Sequence, residues 1–231
     1  MPIQSRTRPA LLAGLLLALV TLQGAARAED APVAPPAPTS TPTQVRVTTN
    51  LGDFVIEVRA DRAPLTAANF LRYVREGFYN GTIFHRVVAN FVVQGGGFDA
   101  ATLKVKPTHE TIFNESGNGL QNKRGAVGMA RGDPPHSGNS QFFVDLVDNP
   151  DLDPVPTRWG YTVFGRVISG MDVVEHIGET ATGATGPFKS DAPLKPVIIQ
   201  KVEIVGGAPS APPPATPVTP ARQDDNILSP K

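Results

Sequence analysis

Residues 84–98 read FHRVVANFVVQGGGF, and the rest of the chain is arranged around them. Two short apolar runs are parted by Ala89-Asn90 and followed by Gly95-Gly96-Gly97, which predicts two strands, a break and a glycine hinge. One arginine, Arg86, and one glutamine, Gln94, stand among residues that ordinarily build a core. Two readings of Arg86 carry equal weight at this point. Its stem can lie on apolar surface with the head in water. Alternatively, the guanidinium is held over an apolar pocket, where a low dielectric strengthens its hydrogen bonds.

Outward from this stretch, the chain divides by composition. It has 231 residues, enough for one full core, with 24 prolines crowded toward the two ends and no cysteine. Without cysteine there is no disulfide framework, no thiolate nucleophile and no Cys-based metal site. Residues 1–28 carry Arg6 and Arg8, an apolar run from Leu11 to Leu22, and Ala26-Arg27-Ala28, the pattern of a secretory signal peptide. The apolar run falls short of the roughly 20 residues that span a bilayer. Its removal lowers the basic count from 21 to 18 against 21 acids, a formal charge near −3. Such a protein has no field for nucleic acid or anionic lipid. The expected location is across the inner membrane, in a periplasm.

Residues 29–43 form a linker rich in Pro, Ala and Thr, and 207–231 a Pro-rich tail that is expected to be disordered. Both read as spacers rather than as ligands for a proline-reading partner. Deleting 29–43 and 207–231 together is therefore expected to leave the melting temperature and the activity nearly unchanged. A drop of more than about 5 °C in a thermal melt would show that one of them docks.

The stretch between, 44–206, reads as one domain. Gln44 to Thr49 and Asp53 to Arg59 alternate as a hairpin about Asn50-Leu51-Gly52. Pro64 opens a helix whose Ala67, Phe70, Leu71 and Val74 share one face, and Gly77 ends it. A long segment from Asp99 to Arg124 carries turn signals and little apolar content. Gly125 to Ala130, Gln141 to Leu146, Tyr161 to Val167 and Val197 to Val205 read as further strands, and Ser169 with Asp172 as the cap of a second helix ending at Gly178. Many strands and two helices predict an all-β barrel with the helices over its ends.

Most familiar chemistries find no support. There is no nucleophile elbow around Ser140, and none of His85, His109, His136 and His176 stands at ligand spacing to another. The three glycines lack the Lys-Ser/Thr of a phosphate loop and read as a bulge that lets backbone pass close by. No metal and no cofactor are expected.

The pieces FHRV (84–87), NFVVQGGGF (90–98), NES (114–116), GLQNKRGAVGMAR (119–131), SGNSQFFV (137–144), LD (152–153) and YTVFGRVISGMDVV (161–174) resemble the cyclophilin family of peptidyl-prolyl cis/trans isomerases, in order and spacing. The resemblance covers roughly 44 to 206. It implies a closed eight-stranded antiparallel barrel and catalysis of rotation about X–Pro bonds in unfolded or partly folded exported proteins, by a monomer. The rival is a non-catalytic holdase that grips proline segments. On this resemblance Arg86 matches the catalytic arginine, Gln94 the glutamine that steadies it, and Phe91, Val92, Phe143, Leu152 and Tyr161 the walls of the proline pocket. Ala130 and Arg131 match the edge that pairs with substrate backbone, and Gln141 a polar contact beside it. Phe142 reads as core. The chain departs from the commonest pattern in having Val92 for methionine, Arg131 for asparagine and Asp151 for an aromatic rim residue. The last implies weak cyclosporin binding. Tyr161 in place of histidine resembles the bacterial exported branch.

Overall fold

The computed structural model describes residues 42–206. The stretch read as a signal peptide, most of that read as a linker, and that read as a C-terminal tail lie outside the described residues. Strands β1 (Thr43–Thr49) and β2 (Gly52–Val58) form the expected hairpin, with Val45 opposite Ile56 and Val47 opposite Phe54, all buried. Thr43, read as the end of the linker, already pairs with Val58 in β1.

Helix α1 (Pro64–Arg75) starts on its proline, whose missing N–H costs nothing at that position. It ends at Gly77, which takes the left-handed φ of 66° that a side chain would resist. Its Ala67, Phe70, Leu71 and Val74 are buried against Phe142 and Phe164 in the main core, each larger side chain contributing about 1.5–3 kcal/mol.

The remaining barrel strands are β3 (Thr82–Val88), β4 (Val92–Asp99), β5 (Ala126–Met129), β6 (Phe142–Asp145) and β7 (Val163–Ser169), with β10 (Val197–Gly206) last in the chain. All pair antiparallel and close in the order β1-β10-β3-β4-β6-β5-β7-β2. The eight-stranded closed barrel with two helices is thus the fold. Helix α2 (Met171–Gly178) adds Val174 and Ile177 to the same core.

Two local expectations need correction. Ser169 does not cap α2; it is the last residue of β7, paired with Val55, and Gly170 is the N-cap at φ 77°. A Cβ at Gly170 would lie 2.3 Å from the Asp53 carbonyl oxygen, so strand and helix can be joined this tightly only by glycine. The second correction is an addition. Strands β8 (Thr182–Thr185) and β9 (Phe188–Pro193) form a separate two-stranded sheet that no periodicity announced. It docks through Phe188, whose ring lies 4.9 Å from that of Phe98 and 5.8 Å from that of His85.

Candidate active site

The barrel wall has two faces, and side-chain alternation sorts the residues between them. Val93, Phe142, Val144 and Val127 point into the main core. Their neighbours Val92, Phe143 and Ala130 join Leu152, Phe91 and Tyr161 in a second, separate apolar cluster. A one-residue step in register is what keeps these clusters apart. Phe142 is fully buried in the main core, as its alternation with Phe143 requires.

Arg86 reaches the second cluster through a β-bulge. On β3, Phe84 pairs with Gly95 and Arg86 with Gln94, so two residues of β3 advance against one of β4. Phe84 and Val87 stay in the core, and His85 and Arg86 both turn out of it. The guanidinium carbon lies 5.9 Å from the centre of the Phe91 ring, and Nη1 is buried with no partner among the described residues. Burial pulls the Arg86 pKa below its ordinary value, while Asp191 on β9 and Tyr161 act in the opposite direction. The pocket reading of Arg86 therefore holds over the snorkelling one. His85 beside it packs against Phe98, and burial pushes its imidazole down to about 3, so it is neutral at any physiological pH.

Across the wall, Gln94 stands opposite both Arg86 and Phe143. Its Nε2 donates to Gln141 Oε1 at 3.0 Å, while its Oε1 is buried without a partner among the described residues. No hydrogen bond joins Gln94 to Arg86 among the described residues, so the expectation that Gln94 steadies Arg86 needs correction: its side chain is held by Gln141 instead. Gln141 in turn lies over Gly97, where a Cβ would fall 2.6 Å from its side chain. Gly128 does the same for the pocket floor. A Cβ there would meet Phe143 Cζ at 2.1 Å, so the end of the ring takes the space that a side chain on β5 would need.

The far wall is built from loops. Leu152 sits in a short 3-10 turn, Pro150–Leu152, and its carbonyl accepts the Tyr161 N–H at 2.8 Å. The Tyr161 ring meets Phe143 edge-on at 5.9 Å, and the Arg131 guanidinium covers Tyr161 at 4.6 Å. Asp151 is exposed at the outer edge of the same turn. The structure brings together all ten predicted site residues. It adds two that the sequence did not single out: Asp191, whose charge acts on Arg86, and Asp145, a fully buried carboxylate on β6 paired with Val92.

What this arrangement offers is an apolar socket with one desolvated cation and one amide oxygen at its rim. Among the described residues its apolar lining carries no serine, cysteine or histidine, and His85, kept neutral by burial, packs against Phe98.

The family model described as "Cyclophilin type peptidyl-prolyl cis-trans isomerase/CLD" matches residues 44–204. Among curated relatives, peptidyl-prolyl cis-trans isomerase B of Escherichia coli (strain K12) is 50% identical over 159 residues, covering 68% of this chain and 96% of that protein. The peptidyl-prolyl cis-trans isomerase of Acinetobacter baylyi is 48% identical over 162 residues, 70% of this chain and 85% of its relative. A solved cyclophilin-type isomerase of Cryptosporidium parvum superposes with a TM-score of 0.60 at 27% identity, covering 71% of this chain and 98% of the other. The same protein has also been solved in the presence of the dipeptide Ala-Pro. The barrel, the socket and these matches agree, and the chain belongs to the cyclophilin-type peptidyl-prolyl cis-trans isomerases.

Proposed function

We propose that this isomerase holds the prolyl ring in the socket of Phe91, Val92, Phe143, Leu152 and Tyr161 and aims Arg86 at the prolyl nitrogen. The observation that carries this reading is the unpartnered, buried Nη1 of Arg86 beside the apolar cluster. The X–Pro bond rotates slowly because the nitrogen lone pair is delocalised into the carbonyl. A donor at that nitrogen favours the twisted state, in which the lone pair is localised. Spontaneous exchange takes roughly 10–100 s, and turnover at about 10²–10³ s⁻¹ requires lowering the barrier by roughly 6–7 kcal/mol. A charged hydrogen bond supplies about 1.5–3 kcal/mol of this. The rest comes from the dry socket, and from Gln94, Gln141, Ala130 and Arg131 holding the flanking backbone more tightly in the twisted state.

The substrates on this reading are proline-containing segments of unfolded or partly folded exported proteins, met in the periplasm by a monomer. The N-terminal composition supports export, and the solving of the Cryptosporidium relative in the presence of Ala-Pro supports the ligand class. A protease-coupled proline-peptide assay on the purified chain, with fractionation of cells expressing it, tests both halves. Tight binding of proline peptides without turnover would favour the holdase, and retention in the cytoplasm would overturn the location.

Asp151 carries a narrower expectation. Its carboxylate stays hydrated at the rim beside Leu152 and offers a large apolar macrocycle neither surface nor donor. Cyclosporin is expected to bind weakly, and Asp151→Trp to tighten it by about a hundredfold, from roughly 2–3 kcal/mol of restored contact. Peptide kcat/KM changes little, because proline peptides reach only the inner socket. Nanomolar inhibition of the wild type, or no gain in the variant, would remove Asp151 from the rim.

A further inference from the structure

Three aromatic rings from three separate loops meet on the surface next to the substrate edge. Phe113 stacks on His136 at 3.8 Å and 18°, and Trp159 stands edge-on to both, 5.2 Å from His136 and 6.4 Å from Phe113. Phe113 is 59% exposed and Trp159 45%, so folding the core does not explain their clustering.

The cluster is rigidly built. Asn114, itself only 8% exposed, ties all three loops together. Its backbone N–H donates to His136 Nδ1 at 3.2 Å, and its side-chain amide donates to the carbonyls of Pro135 at 3.1 Å and Gly160 at 2.9 Å. Each of those carbonyls adjoins one of the other two rings, and Phe113 adjoins Asn114 itself. Arg131 adds a second brace by donating from Nη2 to the Trp159 carbonyl at 2.9 Å and from Nε to that of Gly160 at 3.2 Å. The same guanidinium lies on the Tyr161 ring, so the shelf continues directly from the wall of the proline socket. Trp159 and Tyr161 are two residues apart, and an extended peptide advancing about 3.3 Å per residue spans the interval in two to four residues.

We propose that Phe113, His136 and Trp159 form an aromatic shelf that receives a large apolar or aromatic side chain of the client polypeptide, two to four residues from its X–Pro bond along the Arg131 edge. This deepens the proposed function and rests on it for the position of the proline. A preformed aromatic surface loses little conformational freedom on binding, and stacked rings add to the area they bury. It would give the enzyme a preference outside the proline socket, toward the apolar segments that unfolded proteins expose.

Trp159 is the only tryptophan of the chain, so its fluorescence reports on the shelf directly. The full chain is titrated with a short proline peptide and with the same peptide extended by Phe or by Ser at each position two to four residues away, on either side. The Phe-extended peptide of the right register is expected to shift Trp159 emission and to lower KM about tenfold. The short and Ser-extended peptides do neither. Trp159→Ser and Phe113→Ser lose the tenfold gain and keep the turnover of the short peptide. Equal kinetics for Phe- and Ser-extended peptides in the wild type would overturn the shelf. So would emission that follows protein concentration alone while sedimentation shows a dimer, since the rings would then serve a second copy of the chain. If the short peptide is not turned over, the proposed function fails, while the emission titration still decides whether the rings bind peptide.

Discussion

Replacing Arg86 with alanine is expected to lower kcat/KM for a proline peptide by about a hundredfold, with the barrel intact. The loss corresponds to one charged hydrogen bond of about 1.5–3 kcal/mol formed in the twisted state. Stability survives because the buried Nη1 has no partner to lose, and removing a partly desolvated cation relieves a cost. The contact with the Phe91 ring, 5.9 Å from the guanidinium, is given up at well under about 1 kcal/mol, together with a solvent-screened attraction to Asp191. Arg86→Lys separates charge from geometry. The lysine keeps the cation but lacks the planar fork, so one donor cannot face the substrate while the rest lie on the pocket. It is expected to fall nearly as far as alanine. Peptide kinetics and a thermal melt on both variants check this, and near wild-type rates in both would remove Arg86 from the mechanism.

That role came from the family resemblance; by itself Arg86 was an oddity, an arginine among core residues. The bulge between Phe84 and Arg86 turns this side chain out of the core, and a bulge is a relation between two strands that neither strand spells alone. The opposite case is Phe142 and Phe143. Strict alternation on a short strand assigns one ring to the core and the other to the socket without further help. Gly128 lies between these extremes. Its importance comes from the Phe143 ring on the adjacent strand, a long-range contact that a lone glycine does not advertise.

The hairpin of β8 and β9 was missed because TGAT and FKSDAP are small, polar and exposed, so they carry no apolar alternation. What fixes them is one anchor, Phe188 against Phe98 and His85. Asp191 was missed with the hairpin, although it is the acid that acts on Arg86. Its left-handed φ of 58° holds a turn of backbone that few residues other than Asn, Asp and Gly tolerate.

Asp145 went unremarked for a different reason: an acid in a strand reads as solvent-facing, and this one is fully buried. Its Oδ1 accepts from Asn149 Nδ2 at 2.7 Å, while Oδ2 has no partner among the described residues. Burial pushes its carboxyl up to about 8, the Asn149 hydrogen bond opposes the rise, and the acids Asp153 and Asp148 add to it. The consequence for stability has a definite sign. The unfolded chain ionises this group near the ordinary value of about 3.9, whereas the folded chain holds the proton to about pH 8. Its contribution is therefore complete below about pH 4, declines as pH rises from there to about 8, and is level above. The full shift would amount to on the order of 5 kcal/mol, and partial opening of the neighbouring turn to water reduces what is measured. Asn149 Nδ2 also reaches the Phe91 carbonyl at 3.1 Å, and the Asn149 carbonyl accepts the Leu152 N–H at 3.0 Å. Ionisation of Asp145 thus strains the same turn that carries the socket wall. Asp145→Asn keeps an oxygen for Asn149 and removes the charge. Relative to wild type it is expected to change little at pH 3.5 and to be more stable by about 1–3 kcal/mol at pH 8. Urea melts of the two proteins across that range isolate the group, because every other titration is common to both. Parallel stability curves from pH 3.5 to 8 would show that Asp145 ionises in the folded chain as readily as in the unfolded one.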